Sequence, residues 1–277
     1  MPRVHRLELI ALEYHDVVRG DAFDESGFPG GAARSYKMSA SMFESHCAAV
    51  AAAGVPIASD VRALPQSVTR VALFTFDDGG SSALDPTAGI LERFGWRGHF
   101  FVTTGAMGTR GFLSPAQARE LSDRGHVVGS HSHTHPVRMS HLSPAALTQE
   151  WSESIRRLED ALGRRVTVAS VPGGYFGAHV ARSAAEGGIE WLFTSEPESR
   201  MVSVDTCRVM GRYTLRIDSP ATLARALVAP GGTARLKQSV LWKAKKAAKR
   251  LGGDTYLRLR ASLLGDDKDA QRGALAP

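Results

Sequence analysis

Cysteine is nearly missing from this chain. Cys47 and Cys207 are the only two in 277 residues, far apart and without ligand spacing. A disulfide scaffold and a thiolate metal cluster are therefore excluded, and two buried thiols in a reducing compartment are expected. No apolar run approaches the roughly 20 residues of a membrane-spanning helix. Met1 to Arg6 leads into a short apolar stretch containing Glu8, which predicts no signal peptide and so a cytoplasmic location. Internal repeats and low-complexity segments are absent as well. Acidic residues are scarce in one place only: between Thr233 and Leu264 nine basic residues stand against Asp254 alone. That net +8 exceeds the +6 of the whole chain, so the basic character belongs to a tail and the body is close to neutral. With 43% hydrophobic and 22% charged residues, the remainder suits one large α/β domain.

What is present is a repeated alternation of strand and helix. Leu7 to Tyr14 reads as a strand ending in Tyr14-His15-Asp16, and Ser39 as the N-cap of a helix to about Ala53. Val71 to Phe76 is a buried strand stopped by Gly79-Gly80. Helix Asp85 to Phe94, strand Gly98 to Thr103, a helix behind Ser114-Pro115 and the short strand His126 to Gly129 follow. Then come a helix from Ser143-Pro144 to Leu162 closed by Gly163, strand Val166 to Val171, helix Ala178 to Glu186 and strand Ile189 to Thr194. This order predicts a parallel sheet with helices outside, most simply a barrel. After Arg208 the pattern loosens: Ser219-Pro220 starts a helix to Leu227, and Pro230-Gly231-Gly232 breaks it. A basic amphipathic helix is expected from about Ala234 to Leu251, and a last helical piece from Asp254 to Leu264. The expected division is a barrel over 1–229 and a basic helical extension over 230–277.

Polar clusters follow four predicted strands. Asp77-Asp78-Gly79-Gly80 places two adjacent carboxylates at a strand end, where mutual repulsion and desolvation call for a cation. His131, His133 and His135 have metal-ligand composition. His131 and His135 share a face if the segment is helical, while all three share one if it is extended, so His133 stays undecided. Pro172-Gly173-Gly174-Tyr175 lets backbone N–H groups approach a ligand and stabilise an oxyanion, and Thr194-Ser195-Glu196-Pro197 ends another strand. Active sites of parallel α/β folds lie at the carboxyl ends of the strands, so the convergence of these clusters points to an enzyme.

Thr75-Phe76-Asp77-Asp78-Gly79 followed by His131-Ser132-His133-Thr134-His135-Pro136 resembles the polysaccharide deacetylases, carbohydrate esterase family four. Tyr14-His15-Asp16-Val17 and Thr194-Ser195-Glu196-Pro197 are similar to many members, and the resemblance spans roughly Leu7 to Leu215. It implies an incomplete or distorted (β/α) barrel and a metal-dependent hydrolase, zinc being the expected ion, that removes N-acetyl groups from amino sugars. By position Asp77 is the implied general base, and Asp78, His131 and His135 the implied metal ligands. Two motifs depart from the family. Ser170 stands where an arginine usually holds the catalytic aspartate, and Met210-Gly211-Arg212-Tyr213-Thr214-Leu215 lacks the usual histidine acid. Arg212 is expected to supply one missing charge and, with Gly173, Gly174 and Tyr175, to face the substrate. For the missing acid, His133, His15 and a metal-bound water remain open.

The implied partner is an amino-sugar-containing glycan or a lipid-linked glycan precursor. The alternatives are a hydrolase of non-sugar amides or formamides on the same barrel and an inactive carbohydrate-binding relative. An iron(II) oxygenase shares the two-histidine-one-carboxylate set, but such sites usually sit on a jelly roll of strands. In the tail, Leu236, Val240, Leu241, Ala244, Ala247, Ala248 and Leu251 recur at helical spacing, with lysines mostly opposite and Trp242 near the boundary. That stripe either lies on an anionic membrane surface, at the inner face for a cytoplasmic enzyme, or packs on the barrel. Aromatic interleaving limited to Trp242 and Tyr256 argues against nucleic acid.

Overall fold

The computed structural model describes residues 7–65, 68–244 and 246. The strands are β1 (Glu8–Tyr14), β2 (Val17–Val18), β3 (Met38–Ser39), β4 (Arg70–Phe76), β5 (His99–Val102), β6 (Val127–Ser130), β7 (Val168–Ser170), β8 (Trp191–Phe193), β9 (Val202–Val204), β10 (Cys207–Met210) and β11 (Tyr213–Thr214). Nine of them form one curled sheet in the order β11-β1-β4-β5-β6-β7-β8-β10-β9, and β2 pairs with β3 separately. Every pairing in the large sheet is parallel except β9 with β10. The architecture is the incomplete barrel that the sequence predicts.

The two ends of the curled sheet meet through the chain itself. β10 lies beside β8 and β11 beside β1, yet only Gly211 and Arg212 separate them. A Cβ on Gly211 would overlap the Glu196 carbonyl oxygen, so this crossing fits only glycine. The sequence predicts no strand at β2, β3, β9, β10 or β11, which are two to four residues long and lie outside its strand–helix alternation.

Alternation along the strands creates two cores. Ile10, Leu12, Phe74, Phe76 and Phe100 point outward and pack with Phe43, Trp151, Leu158 and Val180. These come from α2 (Ala40–Ala51), α5 (Pro144–Leu162) and α6 (Ala178–Glu186). Leu9, Ala11, Val71, Leu73, Phe101, Val127, Val168 and Met210 fill the interior with Ala58 and Val61. Helix ends follow the chemistry of their residues. Ser39 Oγ accepts from Met42 N, a full capping box joins Ser114 and Gln117, and Gly163 takes the left-handed conformation that closes α5. The helix expected over 85–94 is instead a short π-helical turn, Leu84–Ala88, with Asp85 extended, followed by Gly89–Arg93. Beyond β11, Ala221–Val228 is helical, and residues 233–244 form a further helix against the barrel. The expected continuation to Leu251 and the piece from Asp254 to Leu264 lie outside the described residues. No helix among the described residues is long and apolar enough to cross a membrane.

Candidate active site

Strand parity decides which side chains reach the site. On β4, Val71 and Leu73 face the interior, so Thr75 and Asp77 continue that face beyond the strand end. By the same count Glu13 follows Leu9 and Ala11, Ser170 follows Val168, His131 follows Val127, and Arg212 follows Met210. Six polar residues thus crown an apolar interior. Asp77 N donates to Tyr14 O at 3.1 Å, which ties the turn to β1. Asp78 then adopts φ 73° and Gly79 φ 79°, which swings the second carboxylate back over the barrel mouth. Aspartate tolerates that region. At Gly79 a Cβ would also lie 2.9 Å from Val102 Cα.

Asp77 is held by a fork. Arg212 Nη1 donates to its Oδ1 and Nη2 to its Oδ2, each at 2.6 Å, and Ser170 Oγ donates to Oδ1 at 3.0 Å. Arg212 also pairs with Glu13 at 2.8 Å and donates from Nε to Thr194 O at 3.2 Å. Glu13 accepts from Ser195 Oγ at 2.6 Å and from Thr214 Oγ1. The expectation that Arg212 faces the substrate is therefore corrected: its side chain is 0% exposed and is engaged by Asp77, Glu13, Thr75 and the Thr194 carbonyl. It supplies the charge that Ser170 does not, from a different strand end.

Asp78, His131 and His135 each offer a ligand atom, all within 4.8 Å of one another. His131 Nε2 is 3.5 Å and His135 Nε2 3.3 Å from Asp78 Oδ1. Two ligands about 2.1 Å from a tetrahedral zinc stand about 3.4 Å apart, so the spacing fits such an ion. The protonation states fit too. Burial would raise the Asp78 carboxyl, but the hydrogen bond from His135 and the charge of His15 bring it to about 2. Burial pushes His131 down to about 4, leaving it neutral at pH 7. Burial would raise Asp77 as well, but Arg212 and then His131 hold it well below the usual carboxylate range.

Ser170 joins the two halves of the site. Its hydroxyl donates to Asp77, so across the 2.5 Å contact with His131 Nδ1 it must accept. His131 therefore carries its proton on Nδ1 and directs a bare Nε2 toward Asp78.

The histidine loop is fixed by a residue that the motifs did not reveal. Glu150, buried on α5, accepts from the backbone N–H groups of His133 at 2.9 Å and Thr134 at 2.8 Å. Ser132 and His135 take φ of 64° and 55°, and Ser132 Oγ accepts from His135 N at 3.1 Å. This turn is neither helical nor extended, and it separates His133 from its neighbours. The His133 ring meets Thr104 Oγ1 at 3.1 Å instead of joining the ligand set.

Gly173, Gly174 and Tyr175 lie on the loop that follows β7 and are not part of the Asp78-His131-His135 ligand set. Gly173 has φ 69°, and a Cβ there would overlap the Val137 carbonyl oxygen. Tyr175 neighbours Arg138 and His141, with 5.7 Å from its ring centroid to the guanidinium. His15, directly after β1, meets the Tyr36 ring at a tilt of 39° with ring centroids 4.8 Å apart. Its Nδ1 is buried with no hydrogen-bond partner among the described residues.

Residues 66–192 match the family profile described as polysaccharide deacetylase. Over that segment, just under half of its length, the chain is similar to the polysaccharide deacetylases. A Bacillus subtilis protein carrying that family name, YxkH, is 24% identical over 128 residues, 46% of either chain. Peptidoglycan-N-acetylglucosamine deacetylase PgdA of Listeria monocytogenes is 29% identical over 145 residues, 51% of this chain and 30% of that protein. The chain thus matches less than half the length of these relatives. The Streptococcus pyogenes deacetylase PplD, solved with acetate, superposes with a TM-score of 0.67 at 17% identity, covering 81% of this chain and all of that one. That likeness concerns the fold. Within the site, the fork on Asp77 brings Ser170 and Arg212 to one carboxylate from two different strand ends.

Proposed function

We propose that the protein is a metal-dependent N-deacetylase of an amino sugar within a glycan or glycan precursor. The observation that carries this reading is the juxtaposition of two differently held carboxylates. Asp78 faces His131 and His135 in a ligand set, whereas Asp77 is gripped by Arg212 and Ser170, with its Oδ2 4.0 Å from His131 Nε2. Asp78, His131 and His135 would hold a divalent ion such as zinc. When bound, such an ion lowers the pKa of a coordinated water from 15.7 towards about 7 and polarises an amide carbonyl. Asp77, ionised and fixed in direction, takes the water proton as general base. The Gly173-Gly174 turn offers backbone N–H groups to the oxyanion, each such donor being worth about 2.7–4 kcal/mol. His15 is the group proposed to protonate the departing amine, because its charge acts on both Asp77 and Asp78 and its Nδ1 has no hydrogen-bond partner among the described residues.

Acetate release from N-acetylated amino-sugar oligomers, compared with simple amides and formamides, tests the reading. Release from the sugars, lost with a chelator and restored by zinc, supports it. Turnover restricted to small amides would favour the alternative hydrolase, and glycan binding by metal-replete protein without acetate would favour an inactive relative. His15→Asn is expected to lower kcat with metal content unchanged.

A further inference from the structure

The helix over 233–244 meets the barrel with the wrong face for a simple packing helix. Arg235 is buried, donates to the carbonyls of Leu227 and Ala229, and pairs with Glu8 at 3.0 Å. Gln238 Nε2 donates to Thr214 O at 3.1 Å, and Ser239 Oγ donates to Pro197 O. The Trp242 ring lies against Gly174, 3.2 Å from where a Cβ would sit, and Lys246 pairs with Glu196 at 2.5 Å. Residues 235, 238, 239, 242 and 246 form one helical stripe, so polar side chains and one indole do the docking. Trp242, expected near the polar boundary, sits inside this contact.

The opposite stripe is apolar and turned away from the protein. Leu236 is 65% exposed, Val240 56% and Leu241 51%. Lys237 stands between Val240 and Leu241 on this outward face and Lys243 at its edge, both exposed, and the basic sequence continues through Lys249 and Arg250. Gly174 and Glu196, which receive Trp242 and Lys246, follow β7 and β8, so the helix borders the mouth of the candidate active site.

We infer that the outer face of this helix docks on an anionic lipid bilayer. Leu236, Val240 and Leu241 enter the acyl boundary while Lys237 and Lys243 meet anionic headgroups. The charge selects this occupant. A second copy would set one basic tail against another, and a polyanion alone would leave three large apolar side chains in water. The attachment is in the membrane plane and holds the barrel mouth at the lipid surface. It rests on this surface alone, independent of the reaction.

Flotation of the full-length protein with phosphatidylglycerol-containing vesicles, and with vesicles of phosphatidylcholine alone, tests it. Binding is expected on the anionic vesicles only and should weaken as salt rises. Lys237→Gln and Lys243→Gln should each lower partitioning about fivefold. Leu236→Ser/Val240→Ser/Leu241→Ser should abolish binding while melting and turnover of soluble substrate stay unchanged. Absence of binding at low salt, or full binding by the triple serine variant, overturns the inference. So does a wild-type dimer that the serine substitutions convert to monomer by light scattering, which would assign the face to a second copy. Should the triple variant melt early, the lysine variants decide alone, and unchanged partitioning in both overturns the inference.

Discussion

Replacing Arg212 with methionine removes a cation that touches two buried carboxylates. Asp77 and Glu13 have side chains 3% and 2% exposed, and Arg212 contacts them at 2.6 Å and 2.8 Å. Breaking a buried pair by deleting one partner typically costs about 3–5 kcal/mol, because the remaining charge stays out of water without compensation. For a chain of this size that corresponds to roughly 6–20 °C in melting temperature. Arg212→Lys should fall between wild type and Arg212→Met, since one ammonium keeps the charge but cannot span both oxygens of Asp77 while also reaching Glu13. The control is Arg212→Met combined with Asp77→Asn and Glu13→Gln. Neutralising the carboxylates should recover at least half the loss, because Ser170, Ser195 and Thr214 still offer hydroxyls to the amides. Thermal and urea melts of the metal-free proteins measure this without reference to turnover. If Arg212→Met melts within about 2 °C of wild type, or if the triple variant is less stable than the single, the fork is not a buried electrostatic clamp.

Three further outcomes follow from the site and the core. Asp78→Asn should lower metal content, whereas Asp77→Asn should retain the metal and lose about 10²–10⁴-fold in kcat; equal metal loss in both would erase the distinction between ligand and base. Ser170→Ala removes the acceptor of the His131 Nδ1 proton and should weaken metal binding about 10–100-fold in a chelator competition, with Ser170→Thr restoring much of it. The metal-free protein should lose stability as pH falls from about 6.5 towards 4, because burial holds His99 at about 4 while the unfolded chain takes up that proton. The slope is about 1.4 kcal/mol per pH unit for that histidine, and a flat or rising urea-midpoint curve between about pH 7 and pH 5 would refute it.

Sequence alone reached the barrel and the two motif segments because both rest on local signals. Strand runs such as Val71 to Phe76, caps such as Ser114-Pro115, and the Asp-Asp and His-x-x-x-His spacings need no knowledge of distant partners. The Glu13–Arg212–Asp77–Ser170 cluster was within reach by strand parity, since each member continues an interior-facing row, but Arg212 stands between strands too short to set a register. The conformation of the histidine turn was out of reach, because it depends on Glu150, fifteen residues beyond His135 on another element. The tail shows the deepest limit. Patterning gave the spacing of Leu236, Val240 and Leu241 but suggested that an apolar stripe seeks protein or lipid alike. Which of the two it meets is set by carbonyls elsewhere in the chain. Leu227, Ala229, Thr214 and Pro197 present bare carbonyl oxygens to the helix, and donors on Arg235, Gln238 and Ser239 satisfy them. A polar seam claimed the barrel, and the apolar face was left to look outward.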